Sequence, residues 1–425
     1  MSQILQLTDG VFGGLWKSIA DVWSELWWIF LPVIAFFIFW DFWVLYIQFR
    51  FISSIKWDLL EIKVPKDILK TPKAMEQIFA AAHAPYSYGL TFKDKYWDGR
   101  VEYWMSFELF GSAGESHFYL RLPKQFRNLM ESAIYGQYPG AEIIEAEDYV
   151  KQVSKIVPNE TFELFGNEQI LRAPSCYPIR TYPMFEESVE ERRVDTIAPV
   201  IETMSKLKSD EQIWIQILTR PTGDDWKKEG EAMANTIMGI KDEKKKSSWF
   251  PGFGLTLGEI FRAPFEHPNT EVEKPKDDFR LKLLMLTPGQ KEVVEGIERK
   301  ISKLGFETTI RFVYIDKRDA FSRDNVASMQ GYFRQFNTQN MNLLRPDKDT
   351  MTASVRGLFT ERRLAWRKRL IFEKYRDMIF NSRKSILNIE ELATIYHLPI
   401  TGVETTYLKR IESRKGSPPP TLPVL

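Results

Sequence analysis

The chain has 425 residues, 44% of them hydrophobic and 27% charged, and its 58 Lys or Arg against 57 Asp or Glu leave a formal net charge of +1. That balance argues against a surface built throughout to coat nucleic acid, and the length allows a membrane segment plus roughly two domains of soluble chain. The one cysteine, Cys176, excludes an internal disulfide framework and a multi-cysteine metal site, and agrees with a reducing compartment.

Residues 1–26 form an amphipathic N-terminal segment, in which Phe12, Leu15, Trp16, Ile19, Trp23 and Leu26 share one helical face suited to lying on the outer membrane surface. Residues 27–49, WWIFLPVIAFFIFWDFWVLYIQF, contain no Lys or Arg and one acid, Asp41. As a helix this stretch rises roughly 34 Å, enough to cross a hydrocarbon core of about 30 Å. Trp27, Trp28, Trp43 and Tyr46 lie toward its ends, where amphipathic rings favour the headgroup layer. Arg50, Lys56, Lys63, Lys66 and Lys70 come after the span, so the basic-side rule places the N-terminus outside the cell membrane and the C-terminal body in the cytoplasm, a single-pass arrangement. Asp41 has two readings: a contact to another membrane helix, or an acid near the cytoplasmic side that is protonated or reaches water.

After the span, strand-like and helix-like periods alternate. WDLLEIKVP reads as a strand, and TPKAMEQIFAAAHA as a helix with Thr71 as N-cap. VEYWMSFELFG and SHFYLRLP form a hairpin around Gly111–Ser116, KQFRNLMESAIYGQY is a helix and AEIIEAEDY a strand. The order is β-α-β-β-α-β, which predicts a ferredoxin-like unit over 57–150. A second such unit is predicted over 160–316, from CYPIRTYPMF, DTIAPVIETMSKL, EQIWIQILTR, DFRLKLLMLTP, GQKEVVEGIERKISKLG and FETTIRFVYID. An inserted helix and loop occupy 224–276, and there Lys244, Lys245 and Lys246 beside aromatic residues suit an anionic lipid face, with plain disorder of 241–276 as the alternative. The expected fold class is therefore α+β: one transmembrane helix, two tandem ferredoxin-like units, a helical segment over 317–411 and a proline-rich tail over 412–425.

In the helical segment, nine Lys or Arg stand against three acids between Glu361 and Lys384. Arg362, Arg363, Arg367 and Arg369 are candidates for DNA or lipid contact, against the alternative of an ordinary solvated helix face. LNIEELATIYHLP carries a capping-box spacing, Asn388 with Glu391. No nucleotide-binding, nucleophile-elbow or zinc-helix motif occurs, so the sequence nominates no catalytic residue, no metal ligand and no cofactor.

The segments VPKDILKTPKAMEQIFAAAH, MSFELFGSAGESHFYLRLP, LMESAIYGQYPGAEIIEAEDY, LNIEELATIYHLP and SPPPTLP together resemble the membrane-proximal N-terminal region of type IV secretion and conjugative DNA-transfer ATPases, especially of Gram-positive and candidate-phyla bacteria. The likeness runs from about Lys63 to Pro423 and does not include the motor domain found beyond this region in those relatives. It implies a non-catalytic scaffold that docks a motor ATPase at the membrane, assembles with other membrane subunits and works as an oligomeric complex; the alternatives are a DNA-contacting membrane adaptor that uses the basic helix, or a membrane-tethered hydrolase with an unrecognised site. It also nominates Glu391, Tyr396, His397, Pro399, Tyr135, Tyr138 and Pro139 for partner contact, although Tyr135 and Tyr138 also suit a core.

Overall fold

The computed structural model describes residues 2–63, 70–185, 195–240, 286–353, 357 and 359–399. In chain order its elements begin α1 (Ser2–Ser54), β1 (Trp57–Lys63), α2 (Lys73–Ala82), α3 (Phe92–Tyr96), β2 (Met105–Ser112), β3 (Glu115–Pro123), α4 (Arg127–Gln137), β4 (Glu142–Glu145), α5 (Tyr149–Gln152) and β5 (Phe162–Leu171). They continue α6 (Ala198–Ser205), β6 (Gln212–Pro221), α7 (Asp225–Ile237), α8 (Pro288–Ile301), β7 (Gly305–Lys317), α9 (Asp324–Arg334), β8 (Leu344–Pro346), α10 (Thr360–Arg376), β9 (Ser385–Asn388) and α11 (Ile389–Ile395). The chain divides into two compact units, Met1–Lys56 with Ser87–Glu102, and Trp57–Tyr86 with Tyr103–Leu425.

In the first unit α1 is a single helix of 53 residues. At 1.5 Å per residue it is about 80 Å long. It passes without a break through residue 26, where a separate amphipathic segment was expected to end, because no turn-forming pair interrupts the apolar run and Pro32 is accommodated inside the helix. Leu31–Ser54 is long and apolar enough to cross a membrane. Along it Phe36, Phe37, Phe39, Phe42, Leu45 and Phe49 are exposed, a surface that water does not tolerate. Among the described residues there is thus one candidate membrane-spanning helix, shifted a few residues from the 27–49 stretch. Residues 87–102, which the sequence did not single out, belong to this unit; α3 within them starts on a Thr91–Asp94 capping box.

The second unit is built on one antiparallel sheet in the order β4-β1-β3-β2-β6-β7-β5-β8, with β9 paired to β7. This corrects the expectation of two separate ferredoxin-like units. β2 pairs with β6 from Met105↔Thr219 to Ser112↔Gln212, so the edges that would have ended two sheets satisfy each other's backbone groups and fuse them. β7 also lies between β6 and β5. The run CYPIRTYPMF is not a strand: Pro178 and Pro183 lack the N–H a ladder needs, and the segment is irregular with a short 3₁₀ turn at Tyr182–Met184. Its place is taken by FELFGNEQIL (β5), which sequence reading passed over together with the short β8 and β9. Residues 278–285 of DFRLKLLMLTP, the loop with Lys244, Lys245 and Lys246, and the tail fall outside the described residues.

Strand alternation sends side chains to both faces, and both are covered. One face packs Phe107, Leu109, Phe118, Leu120, Ile213, Ile215, Ile217 and Phe312 against α2, α4, α6, α9 and α11. The opposite face packs Tyr119, Leu164, Trp214, Val313 and Ile315 under Tyr149 and Val150 of α5 and Ile371, Phe372 and Tyr375 of α10. Coverage of both faces is why the central strands read as nearly continuous apolar runs rather than strict alternation. The α2 helix starts at Lys73 after Pro72, one residue later than a Thr71 cap would give. The Asn388–Glu391 capping box at the head of α11 is formed as the spacing predicts.

Candidate functional site

On the α10 side of the sheet, four polar residues from four adjacent strands stand directly opposite one another: Glu108↔Gln216, Gln216↔Arg311 and Arg311↔Glu168 are register partners. Glu108, Arg311 and Glu168 are fully buried and Gln216 nearly so. Arg311 places all five N–H groups. Nε and Nη2 donate to Glu168 Oε1, Nη1 donates to Gln216 Oε1 (2.6 Å) and Lys374 O (2.9 Å), and Nη2 also donates to Ile379 O (2.6 Å). Of these acceptors, Lys374 O belongs to the last turn of α10, where it also accepts from Ile379 N (3.0 Å), and Ile379 O lies just past the end of the helix. The row therefore fastens the end of α10 to the sheet. Asn381 Nδ2 and Lys374 Nζ attend the other Glu168 oxygen, at 2.8 and 3.7 Å.

At the other end of the row Glu108 accepts from Ser106 Oγ (2.6 Å), Arg121 Nε (3.2 Å) and Tyr149 Oη (2.8 Å), and Tyr149 meets Tyr375 of α10 at 2.6 Å. Arg121 continues to Asp148 at 3.0 Å. Burial drives the phenols of Tyr149 and Tyr375 far above their ordinary pKa, reinforced by the Glu108 charge, so both remain neutral hydrogen-bond partners. Burial also opposes ionisation of Asp148, but the Arg121 hydrogen bonds and charge outweigh it and hold the carboxyl below its ordinary value.

So anchored, α10 turns a basic and aromatic face outward. Arg362, Arg363, Trp366 and Arg369 are exposed. Beside this helix a cleft of about 340 Å³ opens between β5, β8, α9 and α10. Its floor is apolar, from Leu164, Phe165, Val326, Met351 and Leu364, and Arg323, Arg334 and Lys368 stand among its lining residues. Within it the buried Asn167 Nδ2 and Gln330 Nε2 have no hydrogen-bond partner, because Gln169 occupies only their carbonyl oxygens. From Lys317 to Lys384 the chain holds sixteen Lys or Arg against seven Asp or Glu, so the near-neutral total hides a strongly basic end balanced by acidic surface elsewhere. Such a face attracts anions: phosphates of a nucleic acid, or acidic side chains of a protein.

The nominated basic residues divide. Arg362, Arg363 and Arg369 are on the outer face, whereas Arg367 donates to the carbonyls of Lys348 (3.1 Å) and Met351 (3.4 Å) and holds the loop after β8. The residues nominated for partner contact are mostly interior, which corrects that expectation. Glu391 is fully buried, 3.0 Å from the equally buried Lys300, and accepts from the backbone N–H groups of Ile179 and Asn388. Burial raises the Glu391 carboxyl and lowers the Lys300 ammonium. Tyr396 packs on Phe107 and Phe118 and donates to Tyr119 O. His397 sits between Ala393 O (3.0 Å) and the Asp195 carboxylate (2.9 Å), and Pro399 and Tyr138 are also buried. EELATIYHLP is thus a core segment. Only Tyr135 and Pro139 of that group reach the surface, and Asp41 is exposed on α1.

The polar row escaped sequence reading, yet it had a signature: a single charged or amide residue interrupts the apolar runs SFELF, WIQIL and IRFVY, and three together, Asn167, Glu168 and Gln169, interrupt β5. Among the described residues no three His, Cys, Asp or Glu side chains gather as a metal site. No curated protein matches the sequence. The sequence profile of a family described as domain of unknown function DUF8128 matches residues 50–410, which span the sheet unit and α10, and the chain belongs to that family.

Proposed function

We propose that this protein is a membrane-anchored, non-catalytic scaffold of a type IV secretion or conjugation-like export machine. In this reading its N-terminus lies outside, its body lies in the cytoplasm, and it docks a motor ATPase there together with other membrane subunits. The observation that carries the reading is the exposed apolar surface of Leu31–Ser54 ahead of a large antiparallel sheet. A helix with that surface is at home among lipid tails, and the basic charge after it favours the cytoplasmic side for the rest of the chain. The ferredoxin-like idea enters only for the first half, whose strands stand as β4-β1-β3-β2 with α2 and α4 against the same core. The test is purification of the tagged full-length chain in detergent from its native cell. Stoichiometric recovery of a RecA-like motor ATPase is expected, and its consistent absence after mild crosslinking overturns the docking role.

A second reading is a DNA-contacting adaptor, favoured by the outward Arg362, Trp366 and Arg369 on one helix face. Guanidinium groups neutralise phosphates and an exposed indole offers a stacking surface for a base. Retention of full DNA affinity by an Arg362→Ala/Arg369→Ala variant retires this reading.

A further inference from the structure

Residues 87–102 leave the sheet unit after Tyr86, rejoin it at Tyr103, and pack along α1. Tyr96 lies against Trp40 with ring centroids 5.9 Å apart, and Phe92 against Tyr96 at 4.6 Å. Gly99, with φ +64°, approaches the backbone of Ile47 so closely that any Cβ would overlap its carbonyl, and Ile47 is buried there. Ser87 and Glu102 hydrogen-bond to each other and close the base of the excursion. Held this way, the segment nevertheless exposes Tyr88, Phe92 and Trp97, at 92%, 67% and 65% of their surface. Interleaved with these rings are Lys93, Asp94, Lys95, Asp98 and Arg100.

Large rings exposed among charges, fixed against a helix fit to span a membrane, describe a headgroup-layer element. The rings favour the boundary between lipid tails and water, and the charges exclude the tail region itself. We propose that Ser87–Glu102 is a second membrane-binding element, and that the lipid surface crosses α1 at Trp40–Tyr46 rather than at Ser54. The proposal rests on the reading of α1 as a membrane span. It also accounts for the polar positions on the helix. Gln48, Phe49 and Arg50 then lie in the headgroup layer outside the hydrocarbon, and Asp41 lies about 3 Å inside its edge at Trp43, within side-chain reach of that layer. A hydrocarbon core of about 30 Å measured back from Trp43 ends near Trp23, so the span begins earlier than composition alone suggests. The acids at 21 and 25 fall near the opposite surface.

The test uses the full-length chain in phosphatidylcholine vesicles, with single nitroxide labels introduced by Phe36→Cys, Phe92→Cys, Trp97→Cys or Asp225→Cys in a Cys176→Ala background. Depth is read from collision rates with oxygen and with a water-soluble nickel chelate. Labels at 92 and 97 are expected at headgroup depth, several-fold less accessible to nickel than the label at 225 and shallower than the label at 36. Adding Gly99→Val is expected to release the segment and bring the label at 97 to the nickel accessibility of 225, while 36 stays in hydrocarbon. Phe92→Ser should shift the label at 97 in the same direction without touching the helix contact at Gly99. Labels at 92 and 97 as water-accessible as 225, with 36 in hydrocarbon, overturn the second element and leave the span intact. Labels at 92 and 97 as deep as 36 overturn the boundary position. A water-accessible label at 36 removes the membrane reading itself.

Discussion

Arg311 and Glu168 form an ion pair with no exposure of either side chain. Two charges removed from water are stabilising only if every hydrogen bond is made, and here the guanidinium has no N–H to spare. Arg311→Met should leave Glu168 buried without its main partner and cost about 3–5 kcal/mol, measured by denaturant unfolding of the purified protein. Arg311→Met combined with Glu168→Leu should recover part of that loss, because no uncompensated charge then remains. Asp148 gives the pH response. Its carboxyl is held below the ordinary value of 3.8, mainly against burial and by Arg121, so its contribution is complete above that value. The contribution disappears as pH falls through the lower native value. Asp148→Asn should therefore lower stability near neutrality and flatten the acid limb of the stability curve, read by unfolding midpoints across that range.

At the scale of elements, α10 separates into a face that holds and a face that is offered. Ile371 packs onto Gly166 of β5, where a Cβ would stand 3.0 Å from the Ile371 Cγ2, so the helix sits close to the strand. Ile371→Ala should cost about 2–4 kcal/mol through a cavity the close backbone cannot fill. Arg362→Ala and Arg369→Ala should change stability by less than about 0.5 kcal/mol. If DNA is the ligand, each should reduce the salt dependence of binding, measured by titration at several salt concentrations. The elements themselves were largely legible: β1, β2, β3, α4, β6, β7 and α10 follow from apolar periodicity, and α11 from its capping box. β5 was not, because Gly166, Asn167, Glu168 and Gln169 interrupt its apolar pattern; these residues serve the Gly166–Ile371 approach and the polar row. The nomination of EELATIYHLP failed for a related reason. Its Glu391 and His397 are polar by type but satisfied inside the core by Lys300 and Asp195, and single residues do not announce a partner that lies far away in the chain.

On the scale of the whole molecule, the divide between units predicts separable behaviour. A chain lacking residues 1–55 should retain cooperative unfolding of the sheet unit, monitored by circular dichroism, because among the described residues the three apolar clusters of that unit draw none from α1. The large architecture was less legible than its parts. A β-α-β-β-α-β pattern read twice suggests two bodies, but pairing between β2 and β6 is a contact across more than a hundred residues that local periodicity does not encode.

The transverse row Glu108, Gln216, Arg311 and Glu168 also solves a problem of alignment. Sliding one strand past its neighbour by two residues keeps every apolar side chain on its own face, so burial alone cannot tell the native pairing from that slipped one. After such a slide of β6 against β7, Arg311 would face Trp214 or Leu218 in place of Gln216, and its charge would be stranded in oil. The four polar residues work like the notches of a key, admitting one arrangement of the wide sheet and rejecting those displaced by a single pleat.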